Sequence, residues 1–213
     1  MSKLFFIGFG LAIMSFLLFL IVRRKVIVKN NGYFVAFLFC MFFFDVLGLT
    51  LARYQYNNAL YNLLSLVEFN LLFLFYFGIS ENKVTKKVII VSIISYGLVY
   101  VMSSVYYGVN IFSKKYNTVA PVFGATFIGV VLILYLREFL LTEKILSYKE
   151  DVFFWITTGL LLYYIGTIPL TAMLGFMERS IAFDFLYKIQ HVLTIIMHSC
   201  FLIGMLWSLK KGK

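Results

Sequence analysis

Four ionisable side chains, Asp45, Glu68, His191 and His198, each lie inside a long apolar run. An ionisable group near the centre of a bilayer costs about 2.5–3.5 kcal/mol on insertion scales, so each needs a reason to be there. Carboxyls and imidazoles set together can share a proton, hold a ligand or coordinate an ion. His191 and His198 are seven residues apart, close to two helical turns, and so share a face with Thr194 between them. Tyr61, Ser65 and Glu68 fall along one side of their run, Asn62 borders that stripe, and Asn70 points away. Glu68 and His198 lie near the middle of their runs and Asp45 at or slightly outside the middle. His191 lies roughly 10 Å nearer the outer surface at 1.5 Å per residue. The expectation is a Glu68–His198 pair near the bilayer midplane. That pair forms the floor of an outward-facing polar pocket lined by Asp45, Asn62, Ser65, Glu68, His191 and His198. The alternative is interhelical glue, buried polar residues that hydrogen-bond neighbouring helices. The sequence leaves both open.

Other chemistries find little support. The two histidines are too far apart to share one ion, and one histidine with two carboxylates needs three converging helices, so no metal is expected. A bis-histidine haem lacks a histidine on any other span. A retinal protein needs a lysine midway along the last helix, and Lys188 sits at its outer end. No Ser-His-Asp arrangement or Gly-rich phosphate loop occurs, so no cofactor and no catalytic residue is assigned. Cys40 and Cys200 both fall inside spans and read as small apolar residues.

These side chains must be positioned by membrane helices. Of 213 residues, 62% are hydrophobic, 20% aromatic and 13% charged, with a mean hydropathy of +0.95. An ordinary soluble domain is roughly half apolar and a quarter charged, so a soluble enzyme is excluded. Seven runs are long enough to span a bilayer, at 3–22, 33–52, 59–80, 88–107, 120–141, 152–175 and 187–209. Each must satisfy its own backbone in lipid and is therefore helical. The expected fold is an all-α seven-helix bundle, one transmembrane domain over residues 1–213. Span 1 reads as a retained helix with a basic stop at Arg23-Arg24-Lys25, not as a signal peptide.

The net charge of +10 invites a nucleic-acid partner. The basic residues instead sit in short runs between spans, where they set orientation, and no nucleic acid is expected. The first, third and fifth loops and the C-terminal tail carry thirteen Lys and Arg, and the opposite side carries six. That places the N-terminus outside and the C-terminus in the cytoplasm. Pro121 opens span 5, and Pro169 falls inside span 6 as a packing kink or a functional hinge. Residues 137–151 read as a helix end along the cytoplasmic interface. Phe42-Phe43-Phe44 and Tyr163-Tyr164 read as lipid-facing and packing bulk, and Trp155 and Trp207 as interfacial anchors. Spans 1–3 and 5–7 share no motif, which disfavours a small transporter built from repeats.

Three stretches carry a resemblance: Arg53-Tyr54-Gln55-Tyr56-Asn57-Asn58-Ala59-Leu60-Tyr61-Asn62 running into Val67-Glu68-Phe69; Phe153-Phe154-Trp155-Ile156 leading to Gly159 and Tyr163-Tyr164; and the polar last helix. The chain resembles a family of small seven-span integral membrane proteins of Bacteroidetes. Its members carry Asn…Tyr-Asn…Glu-Phe in the third span and Phe-Trp…Gly…Tyr opening the sixth. The resemblance implies no established activity. Members beside sensor-kinase or regulator genes imply signalling, and those with Gln at the position of Glu68 argue against an obligatory catalytic acid.

The expected protein is a non-enzymatic sensor or accessory subunit of the bacterial inner membrane. It binds a small or lipidic ligand in its outer half and acts through a membrane or cytoplasmic signalling partner. The alternative is an intramembrane lipid-modifying enzyme using Asp45, Glu68 and His198.

Overall fold

A computed structural model describes residues 3–22, 31–51, 57–109, 116–174 and 181–210. These form α1 (Lys3–Val22), α2 (Asn31–Leu51), α3 (Asn57–Ile79), α4 (Lys83–Tyr106), α5 (Val119–Leu140), a short 3-10 helix (Glu143–Glu150), α6 (Val152–Leu174) and α7 (Ile181–Lys210). No strand occurs among the described residues. Six helices are long and apolar enough to cross a membrane, and the described apolar run of α2, Gly32–Gly48, is shorter. The chain is therefore an all-helical bundle of membrane type.

Two helices outrun their apolar stretches. α4 starts at Lys83, five residues before the hydrophobic run read from sequence, because Asn82 caps it: its side chain accepts a hydrogen bond from the Val84 N–H. α7 starts at Ile181 and runs 30 residues, roughly 45 Å at the α-helical rise. Hydropathy marks where lipid lies, whereas capping decides where a helix ends. The stretch after α5 is a 3-10 helix; Leu141, which caps α5, and Leu146 within the 3-10 helix are exposed.

The helices pack as a ring. α1 lies against α2 and α7, α2 against α3, α3 against α5, α5 against α6 and α6 against α7. α4 fills the groove between α3 and α5 from outside. It keeps Val91, Ile94, Leu98, Met102 and Val105 exposed, a stripe suited to lipid. α1 turns Gly8, Ala12, Ser15, Phe19 and Val22 inward, one per turn, so small residues let it approach α7 closely. α6 and α7 meet closest. A Cβ on Gly159 would stand 2.9 Å from the Cys200 Cβ and the Met197 carbonyl oxygen, and one on Gly204 would stand 2.6 Å from the Trp155 Cβ.

The ring has two unlike ends. One carries the α1–α2, α3–α4 and α5–α6 connections and is packed solid. Phe34 meets Phe19 at 4.8 Å between ring centroids, Phe75 at 5.1 Å and Phe201 at 5.6 Å. Phe75 reaches on to Phe153 at 5.8 Å. Rings from five helices thus close the centre of the bundle, and Phe34, Phe75 and Phe201 are wholly buried. Glu138 of α5 ties the α3–α4 turn by accepting from the Ser80 hydroxyl and the Glu81 and Asn82 N–H groups at 2.6, 2.6 and 2.9 Å. Asp151 caps α6 through the Phe153 and Phe154 N–H groups, and Trp155 lies edge-on to Trp207 at 5.6 Å. The other end, with the α2–α3, α4–α5 and α6–α7 connections, is polar.

Candidate functional site

Glu68 sits at the middle of α3, roughly 16 Å below the start of that helix at 1.5 Å per residue. It is 9% exposed. Its Oε1 accepts a hydrogen bond from the Tyr164 hydroxyl of α6. In the ring α3 and α6 both flank α5, and the two buried side chains meet inside it, one level above the phenylalanines. Below them the Tyr76 hydroxyl and Thr157 Oγ1 make the same crossing at 2.9 Å.

Around Glu68 the polar end collects carboxyl and phenol groups from different elements. Asp45 of α2 lies within electrostatic reach of Glu68, Tyr61 and Tyr163. Tyr163 of α6 faces the same carboxyls and neighbours Gln190 and Thr194 of α7. Tyr116, from the α4–α5 connection, lies within electrostatic reach of Glu68, Tyr61, Tyr163 and Tyr187. The Tyr61 hydroxyl packs on Gly48, where a Cβ would come within 2.9 Å of it. That glycine lets α2 and α3 converge beside Asp45.

The six residues expected to line one pocket separate into three groups. Asp45 and Glu68 stay together. Asn62 and Ser65 turn toward α4 and the α4–α5 connection. Asn62 Oδ1 accepts from the Asn117 N–H at 2.9 Å, while its carbonyl accepts from Tyr100 at 3.1 Å and from the Ser65 hydroxyl at 3.0 Å. The Ser65 carbonyl accepts from Tyr96 at 2.9 Å. Asn117 also donates to Ser103 Oγ at 2.8 Å and accepts from the Ala120 N–H at 3.2 Å. This is interhelical glue, and it fixes the height of α3. His191 and His198 do share a face of α7, but that face packs on α1. His191 meets Phe5 at 5.6 Å, and His198 Nδ1 hydrogen-bonds Ser15 Oγ at 3.3 Å, with both partners of that bond buried.

The expected Glu68–His198 pair is therefore replaced by two pairs, Glu68–Tyr164 and His198–Ser15. The spacing gave the histidine face correctly, but that face turns to α1, the ring neighbour of α7, and not inward to α3. Tyr164 is not packing bulk: it is 2% exposed and is the hydrogen-bond donor to Glu68. The signal for it was available, since a buried carboxyl needs a donor and Tyr163-Tyr164 lies at a matching depth in α6. Pro169 lies within a continuous α6, where the Thr167 hydroxyl bonds the Tyr164 carbonyl at 3.1 Å. Both cysteines are free, and among the described residues no group of three or more His, Cys, Asp or Glu is placed to hold a metal ion.

The arrangement can accept hydrogen bonds through carboxylate, donate them through phenols and present aromatic faces. Comparison with protein families finds no matching family model, and comparison with curated proteins and with solved structures finds no similar protein.

Proposed function

We propose that this chain is a non-enzymatic multi-pass protein of the bacterial inner membrane. It acts as a sensor or accessory subunit that takes a small or lipidic ligand into the polar end of the bundle and couples to a partner protein. In this reading all seven helices cross, the N-terminus is outside and the polar end faces outward, as the basic loops require. The resemblance to the Bacteroidetes family and its regulatory gene neighbours is in keeping with signalling. The observation that supports the reading is the meeting of Asp45 and Glu68 with tyrosines from α3, α6, α7 and the α4–α5 connection. A closed floor of phenylalanine lies beneath them. That geometry suits a site entered from one side more than a passage through the bundle.

The lipid-modifying alternative needs Asp45, Glu68 and His198 to converge. The engagement of His198 with Ser15 at the α1 interface gives it no support.

The test is native purification into lipid discs, followed by mass spectrometry of what accompanies the protein and of added lipid extract. A small molecule or lipid is expected with the wild type and not with a folded Asp45→Asn or Glu68→Gln variant, with no new lipid species formed. A lipid product dependent on Asp45 and His198 would replace the sensor by the enzyme. For orientation, reporters fused after Lys25, Lys87 and Lys211 should all read cytoplasmic. A periplasmic signal at Lys211 with a cytoplasmic one at Lys25 would remove one crossing.

A further inference from the structure

We propose that the segment joining α5 to α6, residues 141–150, is a membrane-surface element. Its apolar side chains sit in the headgroup and upper acyl zone of the leaflet at this end of the bundle, so that lipid covers them and not a second protein. The proposal is independent of the ligand-binding reading above and survives its failure.

Exposure is the first ground. Leu141 and Leu146 are 77% and 88% exposed, and no large apolar side chain among the described residues is more exposed than Leu146. Ile145 and Tyr148 are exposed too, and so are Glu143, Lys149 and Glu150 on the same short segment. Such a mixture suits neither water nor hydrocarbon. It fits the boundary between them, where amphipathic helices lie with their apolar side in the upper acyl region. Glu143 and Glu150 offset Lys144 and Lys149, so apolar burial, and not attraction to anionic headgroups, has to hold the segment there.

Position is the second ground. α5 has 22 residues, roughly 33 Å at the α-helical rise, against a hydrocarbon core of about 30 Å. The chain therefore leaves the hydrocarbon close to the end of α5, and the residues that follow fall in the interfacial zone. Ile133 and Leu140 are exposed on α5, as lipid-facing residues are, and Leu141 carries that apolar surface into the segment. Arg137, exposed in the last turn of α5, reaches the phosphate level from there by snorkelling. Trp155 and Trp207 mark the same boundary, where indoles concentrate, and Trp155 Nε1 donates to the Lys149 carbonyl at 3.0 Å.

The segment is also held in place. Thr142 Oγ1 donates to the Phe139 carbonyl at 2.8 Å, the Tyr148 ring meets Phe154 at 5.4 Å, and Asp151 caps α6 behind it. The leucines are exposed by packing that fixes the backbone, so whatever surrounds the bundle at this height must cover them. Six helices long and apolar enough to cross a membrane put a bilayer there.

The test uses the unmodified full chain in discs of phosphatidylcholine, doped with a lipid whose diazirine sits near the top of its acyl chain. Light-driven adducts are mapped by mass spectrometry, and a parallel sample is oxidised by hydroxyl radicals from the water phase. Lipid adducts are expected within residues 141–148. Leu146 should oxidise at least about tenfold more slowly than in a free peptide of residues 141–150, equivalent to 1.4 kcal/mol. Fast oxidation of Leu146 overturns the proposal with or without adducts, because the side chain then faces water. Protection from radicals without any lipid adduct in the segment overturns it as well: a second copy then covers the leucines, and the native mass of the discs should show the dimer.

Discussion

The same helices build two halves of opposite character. Toward one end, α1, α2, α3, α6 and α7 send Phe19, Phe34, Phe75, Phe153 and Phe201 into the centre, and each ring finds another ring. Toward the other end, α2, α3 and α6 carry Asp45, Glu68, Tyr163 and Tyr164, of which Glu68 and Tyr164 are buried. Aromatic bulk is common to both, so the difference lies in oxygen atoms. A phenylalanine is satisfied by contact alone, which any close neighbour supplies. A phenol or carboxyl at membrane depth needs a partner of the right geometry, and lipid supplies none. The phenylalanine half can therefore close on itself, while the tyrosine and carboxyl half closes only in part. One half is held by ring contacts alone, and the other depends on hydrogen bonds such as that of Tyr164 to Glu68.

The largest expected effect breaks the closed half. Phe34→Ala removes a wholly buried ring that touches Phe19, Phe37, Phe75 and Phe201. In lipid the transfer term is weak, so the loss is chiefly of packing. A cost of about 3 kcal/mol is expected, at the low end for a buried phenylalanine. Unfolding of the disc-embedded protein measures it. A loss below about 1 kcal/mol, the size of an ordinary point mutation, would mean that the phenylalanines do not carry the fold.

A second change tests the close packing of α6 on α7 between the halves. Gly159 lies on α6 between Thr157, which bonds Tyr76, and the Tyr163-Tyr164 pair. In Gly159→Ala the new methyl meets the α7 backbone at Met197, which cannot swing aside as a side chain can. About 2 kcal/mol is expected, within the range for overpacking. Gly97→Ala on α4 meets nothing within 4 Å and should stay within about 0.5 kcal/mol of wild type. Equal melting temperatures for the two variants would show that α6 and α7 do not touch as described.

Much of the fold was legible because membrane helices announce themselves by length. The first span was read as 3–22, and α1 is Lys3–Val22; the sixth was read as 152–175, and α6 is Val152–Leu174. The start of α4 was less legible, because it is a polar extension set by the Asn82 cap, and that of α7 because its first turn, residues 181–184, lies before the run that hydropathy marks. Within the site, the depth of Glu68 followed from its place in the run, and the shared face of the histidines followed from their spacing. Neither says which helix stands opposite. That is a property of how the helices assemble: α3 and α6 flank α5 and reach each other through Glu68 and Tyr164, and α1 covers the histidine face of α7. Asn117 was invisible for a related reason. It lies in a connection with no periodicity, and only the folded chain brings it to Asn62, 55 residues away in sequence.

The smallest expected effect sharpens the polar half, and it turns on a single hydrogen bond. Tyr164→Phe keeps the ring against Phe69 at 5.5 Å and removes only the donor to Glu68. Hydrogen bonds between membrane helices average about 0.6 kcal/mol and reach about 1.7 kcal/mol. A buried carboxyl stripped of its one donor belongs at the upper end, so about 1 kcal/mol is expected. Glu68→Gln should cost less, because the amide oxygen still accepts from Tyr164 and a neutral group is easier to keep at that depth. The double variant Glu68→Leu with Tyr164→Phe removes both needs at once and should recover most of the loss of Tyr164→Phe. Taking away both partners of a buried bond can be nearly neutral, whereas taking away one is not. Recovery in the double variant assigns the Glu68–Tyr164 pair a structural share. If Tyr164→Phe proves silent instead, Glu68 is satisfied by something other than protein, and the polar half is already occupied when the bundle folds.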